Sequence, residues 1–355
     1  MMAYINKKYN REVYDLMNVL TKKKKITLII IGTILSIIIG CDGSEELKNV
    51  DVYVGGHYIL GNTYTSCYWE NGKRVDLNKQ FSLVDVFGDG TDMFAASSLK
   101  EGNSDISRAA YWKNGVSTEL LSTRSATRQV IVKDGETTIL GYSMTDSSDD
   151  HWVSHWIWRD GEFSQLDGFV MSMEISDGDL YLAGSYSDID RRPCYWKNGI
   201  RHDLEADDLD LDGLIIRDIA VSNGDVYVVG RYRNTELKEN RAALWKNGVR
   251  QDLESISSDA YSITIDGSDV YVAGQVNCTA CYWKNGKRIS LGGSACSYAK
   301  AITTCNGNVY IAGHDAGTDK GVLVWKNNKN LKVELSYPWA VSRSAYAHSI
   351  FVKAK

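Results

Sequence analysis

Proline is nearly absent, with 2 in 355 residues. That excludes Pro-rich linkers and polyproline segments as organising features. Long apolar runs are missing too. The longest, residues 26–39, has about 14 residues, short of the roughly 20 that a membrane-spanning helix needs. Basic charge is outnumbered beyond the N-terminus. Residues 1–40 hold seven Lys/Arg and two acids, so the formal net charge of −5 for the whole chain becomes −10 for the remainder. An acidic domain of this kind argues against nucleic acid, whose binding depends on phosphate neutralisation, and against a polybasic membrane patch. No GxSxG elbow and no Walker loop occurs. What is plentiful is glycine, 31 residues, and apolar side chains, 43% of the chain. Together they suit a folded core cut by many tight turns, because glycine supplies the positive φ such turns demand.

The N-terminus reads as an address label. A lysine block at 22–25 precedes the apolar run, which ends at Gly40-Cys41. A basic start, a short apolar stretch and a small residue before a cut make a secretory signal. Ile38-Ile39-Gly40-Cys41 resembles the bacterial lipobox, which implies cleavage after Gly40 and a lipid on Cys41. The expected layout is a lipoprotein signal peptide over 1–40, a polar tether over 41–50 and a folded domain over 51–355. Translation from Met17 would give a signal of more usual length. The implied location is extracytoplasmic, at the bacterial cell envelope, held to a membrane through the lipid on Cys41.

A repeat governs everything after the tether. CYWENGKRVDL (67–77) returns as AYWKNGVSTEL (110–120), WIWRDGEFSQL (156–166), CYWKNGIRHDL (194–204), ALWKNGVRQDL (243–253), CYWKNGKRISL (281–291) and VLVWKNNKNL (322–331). The repeated tryptophans are Trp69, Trp112, Trp158, Trp196, Trp245, Trp283 and Trp325, spaced 43, 46, 38, 49, 38 and 42 apart. A second phrase, such as DVYVGG (51–56), DLYLAG (179–184) or NVYIAG (308–313), precedes each first one. It is β-branched or aromatic and mostly ends at glycine, as strands do. A third run lies earlier still, for example IIRDIAV (215–221). Each unit therefore predicts four antiparallel strands, with Asn-Gly turns of type I′ between strands 3 and 4. A period of 40–50 residues and four strands per unit define a propeller blade. The predicted fold is all-β: a seven-bladed β-propeller of four-stranded antiparallel blades, preceded by the signal segment. The tryptophans are its wedges between blades. The first repeat lacks a strand 1, and AYAHSIFV (345–352) resembles a strand 1 with nothing after it. Pairing these two closes the ring and removes exposed edges.

The pattern of a glycine-ended strand, a loop, aromatic-x-Trp-x-x-Gly and then x-x-x-Asp-Leu resembles the extracellular HAF repeat family. It is also similar to WKNG-type repeats of bacterial envelope lipoproteins. The resemblance spans 47–355 and implies export and a propeller, with no catalytic residue attached. Arg159-Asp160 and Asn328 depart from it at two turns.

Function is expected on the variable connections, which join strands 2 to 3 and 4 to 1 and emerge on one face. The slot after each strand-2 glycine or its equivalent holds His57, Ser98, Tyr142, Ser185, Arg231, Gln275 and His314. Near the start of strand 1 stand Val84, Arg128, Met171, Arg217, Tyr261, Lys300 and His348. Together they predict a partly basic rim at the channel mouth, suited to an anionic or sugar-like ligand. Asp208, Asp210 and Asp212 before Gly213 resemble the start of a calcium loop, but the twelfth position is Ile219; no other cofactor is indicated. His151 and His155 have the spacing of a metal pair but flank a strand-like run. Six cysteines follow Cys41. Cys67, Cys194 and Cys281 share a slot filled elsewhere by alanine, which marks a small buried residue. A disulfide among Cys278, Cys296 and Cys305 is compatible with export. The leading expectation is a monomeric binding module for a protein or glycan partner. The alternative is a polysaccharide-active hydrolase or lyase at the mouth, which a pair of facing acids or a His/Tyr/Arg cluster would favour.

Overall fold

The computed structural model describes residues 47, 49–61, 63–79, 85–100, 106–144, 153–186, 191–206, 209–292, 296–316, 321–331 and 344–355. The signal segment, Cys41, Val84, His151 and Asp208 lie outside them. Twenty-eight strands form seven four-stranded antiparallel sheets, and no helix occurs among the described residues. The chain is a seven-bladed β-propeller. The innermost strands of blades 1 to 7 are Ser344–Ala354, Asp85–Gly88, Ser125–Lys133, Phe169–Ser176, Asp210–Ser222, Ser258–Asp266 and Ser297–Cys305. Each touches the next, round to the first, so they line the central axis.

Closure follows the pairing expected from the chain ends. Ser344–Ala354 pairs antiparallel with Val50–Leu60, from Val50 opposite Ala354 to Ile59 opposite Ser344. The last strand of the chain is thus the inner strand of the first blade.

Seven apolar clusters account for the seven blade interfaces, and each receives one buried tryptophan from the later blade. Trp245 of blade 5 packs with Tyr181 and Ala183 of blade 4. Trp69 of blade 1 packs with Val322 and Val324 of blade 7. An aromatic buried this way removes roughly 150–250 Å² from water, which explains why the tryptophan recurs. Blade 3 differs from the expected assignment. Its wedge is Trp156, buried against Phe94 and Ala109 of blade 2, while Trp158 is only half-buried. Trp156 stands in the slot that holds Cys67, Cys194 or Cys281 in other blades, opposite Gly141, and its ring occupies the space a Cβ there would take.

The WKNG and DVY phrases meet at one end of each blade. In blade 5 the turn residue Asn247 has φ +51°, and its Oδ1 accepts from Val226 N at 2.8 Å. Its Nδ2 donates to Asp225 Oδ1 at 2.8 Å, and Lys246 Nζ sits 2.7 Å from Asp225 Oδ2. The same asparagine-to-backbone and asparagine-to-aspartate bonds recur at Asn71, Asn114, Asn198 and Asn285. The most regular part of the repeat therefore ties strand 2 to the turn between strands 3 and 4.

Candidate functional site

The opposite end of the blades carries a second repeated device. In six blades the inner strand bulges by one residue opposite the end of strand 2. The unpaired extra residues are Arg128, Met171, Arg217, Tyr261, Lys300 and His348. A bulge re-aims a side chain, and here it does so around the axis. The glycine opposite is obligatory for the same reason. At Gly313 a Cβ would overlap the carbonyl oxygen of Tyr298, and at Gly230 that of Ile215.

The structure brings several of the predicted rim residues together. Arg231 Nη1 donates to Asp259 Oδ2 at 2.9 Å, while Arg217 Nη2 stands 3.9 Å from the same oxygen. Asp259 is buried, and its Oδ1 has no protein partner. Burial raises its pKa against the pull of Arg217, Arg231 and Lys300. Lys300 Nζ lies 3.4 Å from the centre of the Tyr261 ring. Burial lowers Lys300 to about 8, with Asp259 opposing and both arginines assisting. The Nε atoms of Arg128, Arg217 and Arg231 are buried without a protein partner.

A histidine group adjoins these cations. His57 Nδ1 and His348 Nε2 are 2.9 Å apart, sharing one hydrogen bond, and their rings stack. Tyr346 stacks on His57 and meets His314 edge-on, and Tyr298 lies beside His314. Burial holds His57 and His314 at about 4 and His348 at about 3, so all are neutral at pH 7. His155 is also buried and neutral, at about 4, against Tyr142 and Phe169, and neither ring nitrogen has a partner.

Other predicted residues are placed differently. Gln275 is committed to the turn below it, accepting from Cys278 N at 2.6 Å. Ser98 is buried, and Ser185 and Met171 line a cavity beside Arg217. Asp210 and Asp212 belong to the inner strand of blade 5, where Asp210 Oδ1 accepts from Asp212 N at 3.1 Å. Of Cys278, Cys296 and Cys305, the first two lie close enough for their thiols to influence one another, and Cys296 Sγ is 3.5 Å from Tyr298 Oη.

Sequence reasoning missed Asp259, Tyr298, Tyr346 and Phe169 as site residues. It also missed a girdle one residue past the bulges. Ser349 Oγ accepts from Val86 N, Asp85 Oδ2 from Val130 N, Gln129 Oε1 from Met173 N and Asp218 Oδ2 from Ile263 N. Each bond runs from one blade to the next. The only available signal was a polar residue at a fixed step inside an otherwise apolar strand.

No family model matches the sequence, and no curated protein matches it. Solved structures do resemble the fold. A puromycin-hydrolyzing peptidase of Mycobacterium tuberculosis aligns at TM-score 0.51 and 10% identity, over 80% of this chain and 54% of that one. An acylaminoacyl peptidase of Pyrococcus horikoshii aligns at TM-score 0.51 and 12% identity, over 80% of this chain and 50% of that one. The chain spans about half the length of these structures. At such identity the likeness is one of fold alone.

Proposed function

We propose that this chain is a lipid-anchored protein of the bacterial cell envelope, tethered through Cys41, whose propeller is a binding module of the HAF-like, WKNG-repeat kind. Its partner is a protein or glycan that presents negative charge to the channel mouth. The observation that carries this reading is the six-fold bulge, which turns Arg128, Arg217 and Lys300 toward one mouth of an otherwise acidic domain. Among the described residues two arginines and a lysine face one buried acid, Asp259. Concave sites lined by one sign of charge concentrate ligands of the other.

A second reading, a polysaccharide lyase, draws on the His57, His314, His348, Tyr298 and Tyr346 group beside these cations. A neutral histidine can take a proton while an arginine neutralises a uronate. Against it, the hydrogen bond between His57 and His348 ties up one nitrogen of each ring, leaving one on each for such a base.

The deciding experiment screens the protein against envelope glycans, uronate polymers and envelope proteins, with unsaturated-product absorbance followed alongside. Saturable binding without turnover, weakened tenfold or more by Arg231→Gln and by rising salt, is the expected result. Turnover of a uronate polymer would transfer the assignment to the lyase. No binding by any anionic partner would end both readings.

A further inference from the structure

The mouth contains a cavity of about 500 Å³ between blades 4 and 5, a size that holds a small organic molecule. Its walls include Val153, Phe169, Met171, Leu214, Ile215 and Ile216. Among the described residues its polar groups are few, Ser185, Arg191 and the bulge residue Arg217, and none is a carboxylate.

The charge of Arg217 is only partly compensated by Asp259, which also serves Arg231. Asp259 makes its short contact, 2.9 Å, with Arg231 and leaves Arg217 at 3.9 Å. The buried Nε of Arg217 has no partner among the described residues. A guanidinium presents a planar fork that matches a carboxylate. The apolar walls select the rest of the ligand. Sugar hydroxyls placed against them would lose hydrogen bonds to water without replacement. A hydrocarbon or aromatic group would lose nothing and gain from burial.

Building on the reading of the mouth as an anion-binding site, we infer that this cavity takes a carboxylate attached to an apolar group, with the carboxylate on Arg217 and the apolar group between Phe169 and Ile216. Such a chemistry is offered by the C-terminus of a peptide ending in an apolar residue and by a free aryl or alkyl acid.

The test is titration calorimetry on the full-length chain in a mild non-ionic detergent. The probes are acetyl-Ala-Ala-Phe with a free C-terminus, the same peptide as its C-terminal amide, 3-phenylpropionate, acetate and glucuronate. The two apolar carboxylates should bind. The amide should bind at least tenfold more weakly, and acetate should give no saturable heat. Tighter binding of the tripeptide than of 3-phenylpropionate identifies a peptide terminus as the source, and the reverse order identifies a free acid. Arg217→Gln should weaken binding at least tenfold. Ser185→Trp, which fills the cavity without changing charge, should abolish it and guards against a folding defect at Arg217. Equal binding of acid and amide overturns the inference. Binding of glucuronate but not of the apolar acids also overturns it, while leaving the mouth's anion preference standing. Silence from every anion defeats both.

Discussion

Asp259 balances the charge at the mouth. It is nearly inaccessible, with a side chain 3% exposed, and three cations surround it. Removing one member of such a group leaves the others uncompensated, which costs several kcal/mol in full burial and less where solvent reaches the partners. Arg217 and Arg231 are about a quarter exposed, so Asp259→Ala should destabilise by about 2–3 kcal/mol in urea denaturation. Because Asp259 holds the Lys300 pKa up, the same variant should move the pH midpoint of Lys300 acylation below about 8. An unmoved midpoint would show that the two groups do not interact. A second residue-scale expectation concerns the sulfurs. The left-handed turn position of Cys278, φ +62°, is one that glycine ordinarily fills, and its thiol lies beside that of Cys296. Oxidised glutathione should link these two and leave Cys305 free, stabilising the fold by about 3 kcal/mol for a loop of this size. Non-reducing peptide mapping decides it; a link through Cys305 would contradict the placement.

Among the elements, the hairpin joining strands 3 and 4 explains why the repeat is so regular. The asparagine of the turn makes two bonds that a left-handed backbone alone would not provide. Asn247→Gly keeps that backbone accessible yet loses both bonds, so it should cost about 1–2 kcal/mol. Lys246→Ala, which deletes a half-exposed ion pair, should cost clearly less, because solvent screens the pair. Denaturant midpoints of the two variants test the ranking, and an equal loss would mean the ion pair, not the amide, secures the turn. This end of each blade was legible, because turn chemistry depends on neighbours in sequence. The bulge at the other end was half legible. Its residues could be aligned as a slot, but the extra residue shows only when two strands are laid in register.

For the molecule as a whole, buried titratable groups on the inner strands and at the mouth couple stability to pH in two opposing ways. Burial raises Asp85 and Glu174 to about 7, so the folded state holds protons that the unfolded state releases near pH 4. Their contribution is complete in acid and is lost as pH rises through about 7. The mouth histidines, His57 and His314 at about 4 and His348 at about 3, act oppositely. Their contribution is intact above about pH 6.5 and is lost as pH falls toward 4 and 3. Asp85→Asn cannot ionise. Relative to the parent it should gain about 1 kcal/mol per pH unit from pH 4 to 7 and level off above. A flat difference would mean Asp85 is already charged. Ring closure makes a broader prediction. Removing 344–355 strips the inner strand from blade 1, and the truncated chain should lose its cooperative transition and aggregate through the exposed edge. A monomer with an unchanged melting curve would show that the ring does not need the pairing.

The blade count, the hairpins, six of the seven tryptophan wedges and the closing strand were written in the order of residues, because each rests on a repeat period or a short-range pattern. The exchange of Trp158 for Trp156, the choice of Arg231 rather than Arg217 as partner of Asp259, and the inter-blade girdle were decided by the folded ring. These depend on side chains separated by tens to hundreds of positions and set side by side only when seven sheets close around one axis. Local propensity carries no information about such distances, so the framework could be read from the chain, while the chemistry of its mouth required the tertiary structure.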